Sequence, residues 1–449
     1  MPNAVIILAA GKGTRMKSDL PKVLHKIAGA PMLVHAMQSS EAISPSRMII
    51  VAGHGAQQVE KEALAYNEAA EIVLQTEQNG TAHAADMARE ALSGFEGDAI
   101  VLFGDTPFIS PETLQRVFEA RKTADVVVLG FNAETPGGYG RLITQGDKLL
   151  KITEAKDCTP EELKIDLCNS GVMAAKSELL FELISEVKPD NNQAEYYLTD
   201  IVGIANARGL SATVVTCPES ETLGINSRSH LAEAEGIFQN KRRAELMEEG
   251  VTLSDPASTY LAFDTHIGRD VIIGPNTVFG PGVTIETGAH IKGFCHLEGC
   301  HVSEGAEIGP FARLRPGAEI GDNARVGNFV EIKNSELATG AKVGHLTYLG
   351  DTSVGANSNI GAGTVTCNYD GVFKHRTEIG QDAFIGTHTS LVAPVSVGDG
   401  AFTATGSVVT EDVPAGDMAI ARGKQVNKEG LGKKFMDRLR ALKKDGKRP

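Results

Sequence analysis

The chain has 449 residues, too many for one ordinary hydrophobic core, so two large domains and a connector are expected. A formal charge of −14 excludes a general nucleic-acid binder, which needs net cationic surface to displace counterions from phosphates. With 49 glycines, no tryptophan and 5% aromatic residues, the composition excludes an aromatic-rich interior and points to a repetitive backbone filled by aliphatic side chains.

Residues 4–10 (AVIILAA) form a β-branched run too short to cross a bilayer, without the basic flank and cleavage site of an export signal. A cytoplasmic protein without membrane insertion is therefore expected. Similar runs at 48–52, 71–75, 99–103 and 125–131 alternate with helical patterns. The alternation predicts a doubly wound, Rossmann-like α/β domain over residues 1–226, its mainly parallel sheet covered on both faces and its ligands at the carboxyl ends of the strands. Residues 229–249 carry Leu231, Ile237, Phe238 and Leu246 at helical spacing, closed by Gly250, and predict a connecting helix within a linker of 227–249. Six cysteines, at 158, 168, 217, 295, 300 and 367, show no C-x-x-C pair or framework spacing, so free thiols are expected.

From Ile267 a six-residue period takes over. It runs through Ile273, Phe279, Ile285, Ile291 and Leu297, then Ile308, Leu314, Ile320, Val326 and Ile332, then Ile379, Ile385, Leu391, Val397, Thr403 and Val409. Val302, Leu337, Val343, Leu349, Val354 and Ile360 bridge these runs, with some steps shortened to five residues. Neither an α-helix nor an alternating strand has that period. It predicts a triangular coil of three flat walls over residues 250–449, each rung residue pointing inward and a small residue easing the bend after it. One such coil cannot bury its apolar side alone, so stability comes only from the stack. Residues 366–378 (TCNYDGVFKHRTE) break the period and are expected to loop out, a usual place for binding residues. From Arg422 onward 11 Lys/Arg stand against 3 Asp/Glu, a basic tail that is either solvated or set against an anion such as the phosphates of coenzyme A. Its pattern after Asn427 is weak, and partial disorder is expected there.

Immediately after the first strand stands LAAGKGTRMKSDLPK (8–22). With glycines only at 11 and 13 it is not the dinucleotide fingerprint, and no Gly-Lys-Ser/Thr follows at P-loop distance. A strand running into closely spaced glycines presents backbone N–H groups to an anion, and Arg15 and Lys22 add cations suited to a triphosphate. Glycines alone would equally fit an ordinary turn with solvated lysines. FGDTP puts Asp105 at a strand's carboxyl end, where an aspartate is either a cap or a metal ligand.

The whole segment resembles the signature of sugar-1-phosphate nucleotidyltransferases. The resemblance implies attack of a sugar-1-phosphate on the α-phosphorus of UTP, with Mg²⁺ held by Asp105 and by Asn226 of LGINSR, and with Arg15 and Lys22 stabilising charge. It implies that Leu8, Ala9, Ala10, Gly11, Lys22, Phe103, Gly104 and Asp105 meet the nucleotide. Gln75, Gly80 and Thr81 of QTEQNGTA then read the uracil, and Gly140, Glu154 and Asn169 contact the sugar.

In the repeat half Arg315 follows rung Leu314 and Lys333 follows rung Ile332 in an unbroken run, so the two are expected to stack on one face about 4.8 Å apart at the backbone. Stacked like charges are costly unless an anion lies near, so the pair either splays into water or anchors a sugar phosphate. Tyr348 is expected one coil beyond Lys333. His345 in VGHLTYLG has an imidazole suited to taking a proton from an attacking amine, although a lone exposed histidine on a repeat is more often inert.

The period is similar to that of the hexapeptide-repeat acyltransferases. LRPG, VEIK, GHLTYLGD, NIGAGTVTCNYDG and LVAP resemble the bacterial bifunctional N-acetylglucosamine-1-phosphate uridyltransferases/glucosamine-1-phosphate acetyltransferases, a likeness that covers nearly the full chain. It implies a left-handed parallel β-helix and a homotrimer with sites between neighbouring prisms. It also implies acetyl-CoA-dependent acetylation of glucosamine-1-phosphate, then uridylyl transfer from UTP to N-acetylglucosamine-1-phosphate. His345 is then the proton acceptor, Arg315, Lys333, Tyr348 and Asn359 hold glucosamine-1-phosphate, and Ala362, Asn368, Tyr369, Thr387, Thr405 and Arg422 meet acetyl-CoA. Thr387 and Thr405 depart from the family's serine and alanine.

On the residues alone, a single-function nucleotidyltransferase with a structural or regulatory β-helix stays open. A non-enzymatic scaffold fits the repeats but not GKGTRM. A metal site built from His290, His296 and His301 is disfavoured, because successive rungs face different directions.

Overall fold

Alternation along the first strand sets a core on each face of the first sheet. In β1 (Asn3–Ala9) Ala4, Ile6 and Leu8 pack into one cluster while Val5, Ile7 and Ala9 pack into another, and all six are buried. The computed structural model describes residues 2–446 and divides into two units. One comprises residues up to Arg242 with Leu261–Phe263, the other Arg243–Tyr260 and the residues from Asp264 onward.

The first unit alternates as the sequence predicts: β1, α1 (Met32–Glu41), β2 (Arg47–Ala52), α2 (Ala56–Tyr66), β3 (Glu71–Leu74), α3 (Thr81–Asp86), β4 (Asp98–Phe103), α4 (Pro111–Arg121) and β5 (Val126–Asn132). It then adds strands outside the runs named above: β6 (Arg141–Gln145), β7 (Lys148–Thr153), β8 (Leu167–Lys176) and, after α5 (Ser177–Ile184) and α6 (Asp200–Ala207), β9 (Ala212–Thr216). The sheet order is β9-β5-β8-β4-β1-β2-β3, with β6 and β7 forming a hairpin off β8. All neighbours on that path are parallel except β8, which runs antiparallel to both β4 and β5. The chain passes from β1 to β2 on one side and returns to β4 on the other, so the carboxyl ends of β1 and β4 form a topological switch point. Leu8 pairs with Phe103 there, which brings residues 9–11 beside residues 104–105. The helix α7 spans Arg228–Glu248, and Ala234, Leu231 and Phe238 on its first turns pack with Ile27, Met32 and Ile225.

In the second unit the six-residue period becomes three parallel sheets of ten, eight and eight strands, the walls of the left-handed β-helix. Every rung from Ile267 to Val409 predicted to face inward is buried. Each buried Ile, Leu or Val contributes about 1.5–3 kcal/mol, and a repeat gains it only against its neighbours. Ile291, Ile308, Val326, Val343 and Ile360 stack on the first wall, Val302, Ile320, Leu337 and Val354 on the second, and Leu297, Leu314, Ile332 and Leu349 on the third.

Two expectations are corrected here. The break in the period is shorter than residues 366–378. Thr366 is a buried rung in register with Leu391, and Thr377 pairs with Thr352, so only residues 368–376 leave the wall. Thr366 escapes the apolar pattern because its hydroxyl, which accepts from the Gly350 amide at 2.8 Å, satisfies itself inside the prism. The weakly patterned tail contains a helix, α8 (Leu431–Lys444), with Leu431, Phe435, Leu439 and Leu442 at helical spacing. Of the basic residues in that tail, Lys447 and Arg448 lie outside the described residues.

All six cysteines are free thiols. Among the described residues no helix is long and apolar enough to cross a membrane.

Candidate active sites

The loop after β1 turns back at Gly13, whose φ of +57° and closeness to Lys22 leave no room for a side chain, since a Cβ there would stand 2.5 Å from Lys22 Cβ. That turn brings Lys22 to the end of β4. Its ammonium forms an ion pair with Asp105 and donates to Asn226 Oδ1 at 3.1 Å, while Arg15 donates to the same oxygen at 2.8 Å. The Ile225 amide donates to the Asp105 carbonyl at 3.0 Å and fixes the approach of Asn226. One carboxylate oxygen and one amide oxygen thus converge on a single cationic point, occupied here by an ammonium. Two hard oxygens so placed fit a divalent cation with phosphate oxygens completing its shell.

Around that point the other expected residues line the same end of the sheet. The Gly104 amide donates to the Leu8 carbonyl at 3.0 Å, and the Ala10 carbonyl accepts from Gln78 Nε2 at 2.6 Å, leaving Gly11 exposed beyond it. Buried Gln75 donates to the Gly80 carbonyl at 3.3 Å and contacts His83 Nδ1 at 3.1 Å. Gly80 has φ +112° and lies against Tyr196, and Thr81 Oγ1 accepts from the Leu198 amide at 3.0 Å. Gly140 faces the Glu154 carboxylate, and its carbonyl accepts from the Asn169 amide at 2.8 Å. Burial pushes the Glu154 carboxyl up, opposed by the hydrogen bond from Thr199 and reinforced by Asp157 and Asp200. The Phe103 ring lies over Gly171.

On the prism, Arg315 directly follows the third-wall strand next to the one that ends at Lys333, its amide donating to the Ile332 carbonyl at 2.9 Å. They do not splay into water. Arg315 pairs with Glu331 at 2.8 Å, and Lys333 faces Asp351 at 3.8 Å. A third cation, Lys374, arrives from the looped-out segment. Its contact with Lys333, together with burial and the Arg315 charge, lowers the Lys333 pKa against the pull of Asp351. Burial pushes Asp351 up, but hydrogen bonds from Asn334 and Asn368 and the charges of Lys333 and Lys374 outweigh it and hold the carboxyl below the usual range. Lys374 was not legible as a site residue, because a loop contact has no period, and Asp351 and Asn334 sit at prism corners, where the period marks only the inward rungs.

Tyr348 lies one coil beyond Lys333 on the same wall, in register with Glu331. Gly350, opposite Lys333, leaves the space: a Cβ there would stand 2.4 Å from the Tyr348 hydroxyl and 2.7 Å from Asn368 Nδ2. Tyr369 is exposed on the loop. His345 ends a strand of the first wall, its Nδ1 2.6 Å from Oδ1 of Asn328 in the coil before. Asn328 accepting there fixes the proton on Nδ1 and leaves the Nε2 lone pair open. Asn359 is not brought to Lys333. It lies on the first wall, in register with Lys342 and Phe384.

The remaining expected residues form one column along a prism edge. The Gly363 amide bonds the His345 carbonyl at 3.2 Å, His388 bonds Ala362 at 2.8 Å, Gly406 bonds Thr387 at 2.8 Å, and Arg422 Nη1 reaches the Thr405 carbonyl at 2.5 Å. Four coil steps separate His345 from Arg422, about 19 Å at the usual strand spacing. His290, His296 and His301 fall on three different walls.

Residues 5–192 match the MobA-like NTP transferase domain. Residues 264–299 and 299–334 match the bacterial transferase hexapeptide (six repeats), and residues 376–411 the hexapeptide repeat of succinyl-transferase. The chain is 62% identical to the bifunctional protein GlmU of Ruegeria sp. (strain TM1040), over 99% of each chain. It is 60% identical to that of Dinoroseobacter shibae over 98% of each, and 59% identical to one from Cereibacter sphaeroides over 99% of this chain and 98% of the relative.

Proposed function

Because the chain belongs to the bifunctional GlmU family, we propose that its two units perform successive steps in making UDP-N-acetylglucosamine: acetylation of glucosamine-1-phosphate, then uridylyl transfer to the product. The observation that carries the reading is that each unit holds its own convergent polar cluster, Arg15, Lys22, Asp105 and Asn226 in one and Arg315, Lys333, Asp351 and Lys374 in the other. A prism serving only as scaffold has no need of the second.

In the acetyl site the cations hold the sugar phosphate and His345 Nε2 takes a proton from the 2-amino group. The amine lone pair attacks the thioester carbonyl of acetyl-CoA, and the coenzyme leaves as its thiol. The column from Ala362 through Thr387 and Thr405 to Arg422 suits an extended pantetheine arm whose phosphates end at the guanidinium, with Asn368 and Tyr369 flanking the acyl end. Asn359 lies on the first wall with His345, away from Lys333 on the third, so a site between neighbouring copies in a homotrimer brings the two walls together.

In the nucleotidyl site an oxygen of N-acetylglucosamine-1-phosphate attacks the α-phosphorus of UTP and pyrophosphate departs. Gln75, Gly80 and Thr81 receive the uracil, and Gly140, Glu154 and Asn169 receive the sugar. Asp105 and Asn226 would hold Mg²⁺, which when bound neutralises charge on the phosphates. Arg15 and Lys22 bind and orient the triphosphate; there is no covalent nucleophile to find, because such transfers rest on positioning and electrostatics.

The test is incubation with glucosamine-1-phosphate, acetyl-CoA, UTP and Mg²⁺ and mass analysis of the products. UDP-N-acetylglucosamine is expected. Its absence, with UDP-sugar formed only from N-acetylglucosamine-1-phosphate, would favour a single-function nucleotidyltransferase instead.

A further inference from the structure

Asp351 is a carboxylate held on every side. Its residue is 9% exposed, its φ is +51°, and its backbone is clamped between coils, the amide donating to the Lys333 carbonyl and the carbonyl accepting from Thr377, both at 3.1 Å. Oδ1 accepts from Asn334 Nδ2 at 2.6 Å. Oδ2 has two partners: the amide of Asn368, and the ammonium of Lys333 at 3.8 Å. Of these, Lys333 belongs to the sugar-phosphate side of the site and Asn368, itself buried, to the acetyl-CoA side.

We propose that Asp351 is a positioning residue that couples the two substrates, through the single oxygen Oδ2 shared between Lys333 and Asn368. The inference rests on the acetyltransferase reading given above. Before the sugar binds, the ammonium competes with the Asn368 amide for the same lone pairs. A phosphate dianion arriving among Arg315, Lys333 and Lys374 draws the ammonium toward itself, and the hydrogen bond from Asn368 then carries the carboxylate's charge alone. Charge-assisted hydrogen bonds are stronger and more directional than neutral ones, so Asn368 is fixed in the orientation that meets the coenzyme. The effect is reciprocal: a coenzyme that orders Asn368 loosens Oδ2 from Lys333 and frees the cation for phosphate.

Asparagine at 351 breaks this link without removing bulk. Its amide has one oxygen, so with Asn334 as donor to that oxygen its own N–H groups face the N–H groups of Asn368. Relief requires the Asn368 amide to flip, after which Lys333 has no anion to leave and the coenzyme side has nothing to sense.

Calorimetric titration of the full chain with coenzyme A and glucosamine-1-phosphate tests this, because without an acetyl group no turnover occurs. In the unmodified protein saturation with glucosamine-1-phosphate is expected to tighten coenzyme A binding at least about fivefold, with the same factor in the reverse titration. In Asp351→Asn the factor is expected to fall to about one while both ligands still bind. Independent binding in the unmodified protein overturns the proposal whether or not the variant folds, as does a folded Asp351→Asn that keeps the factor. A purely structural role for Asp351 would change the two affinities and leave the coupling factor intact. If the unmodified protein binds neither ligand, the acetyltransferase reading fails and takes the proposal with it.

Discussion

Lys22 Nζ donates to Asn226 Oδ1 at 3.1 Å, joining two residues 204 positions apart, and the same ammonium pairs with Asp105. Two oxygens that converge on one ammonium are arranged for a divalent cation. Chelation is therefore expected to abolish pyrophosphate release from UTP while thiol release from acetyl-CoA continues, followed in parallel assays. Asp105→Asn is expected to lower uridylyl transfer about 10²- to 10³-fold, the usual loss for one electrostatic group. Equal metal dependence of both activities would count against the assignment.

Gly350 offers a sharper test of the prism site. Its Cβ position lies 2.4 Å from the Tyr348 hydroxyl and 2.7 Å from Asn368 Nδ2, yet its backbone is not in the left-handed region. Gly350→Ala is expected to reduce acetyl transfer by about 10²-fold through displacement of those two groups, with uridylyl transfer unchanged. Unaltered acetylation kinetics would show that the two side chains do not meet substrate.

The lowered pKa of Lys333 has a definite sign. Contact with Lys374, burial and the charge of Arg315 all favour the neutral amine. The ammonium is lost as pH rises through the lowered value, so affinity for glucosamine-1-phosphate is expected to decline below the ordinary lysine range, where the phosphate itself no longer titrates. Lys374→Met is expected to weaken binding and to move the decline back toward the ordinary lysine range. Dissociation constants measured across alkaline pH decide it, and a midpoint unmoved by the substitution would contradict it.

Thr366 is the polar rung that the period hides. Thr366→Val keeps the shape but removes the acceptor of the Gly350 amide, and is expected to cost about 1–3 kcal/mol in chemical denaturation. A neutral or stabilising effect would mean that the amide finds another partner.

Much of this architecture was legible because its signals are periodic or local. Rungs such as Ile291, Leu314 and Val343 announce themselves by spacing and are all buried. The stack of Arg315 on Lys333 follows from counting eighteen residues in an unbroken run, and the turn at Gly11 and Gly13 from its position after a strand. What stayed hidden depends on contacts across loops or on polar residues in apolar places. The hairpin of β6 and β7 is half exposed and lacks a β-branched run, and β8 reverses direction inside a mostly parallel sheet. Lys374 reaches Lys333 only because a loop folds back. Asn359 was countable onto the first wall, away from Lys333, and the resemblance alone grouped them, in a site between neighbouring prisms.

The most direct measurement separates the sites genetically. Arg15→Ala and His345→Ala are assayed for both half-reactions, alone and mixed, with UDP-N-acetylglucosamine as the readout. Each folded variant is expected to lose one activity and keep the other, and the mixture to restore the product from glucosamine-1-phosphate. Loss of both activities in either folded variant, or a mixture that stays silent, would contradict the account of two independent sites on one chain.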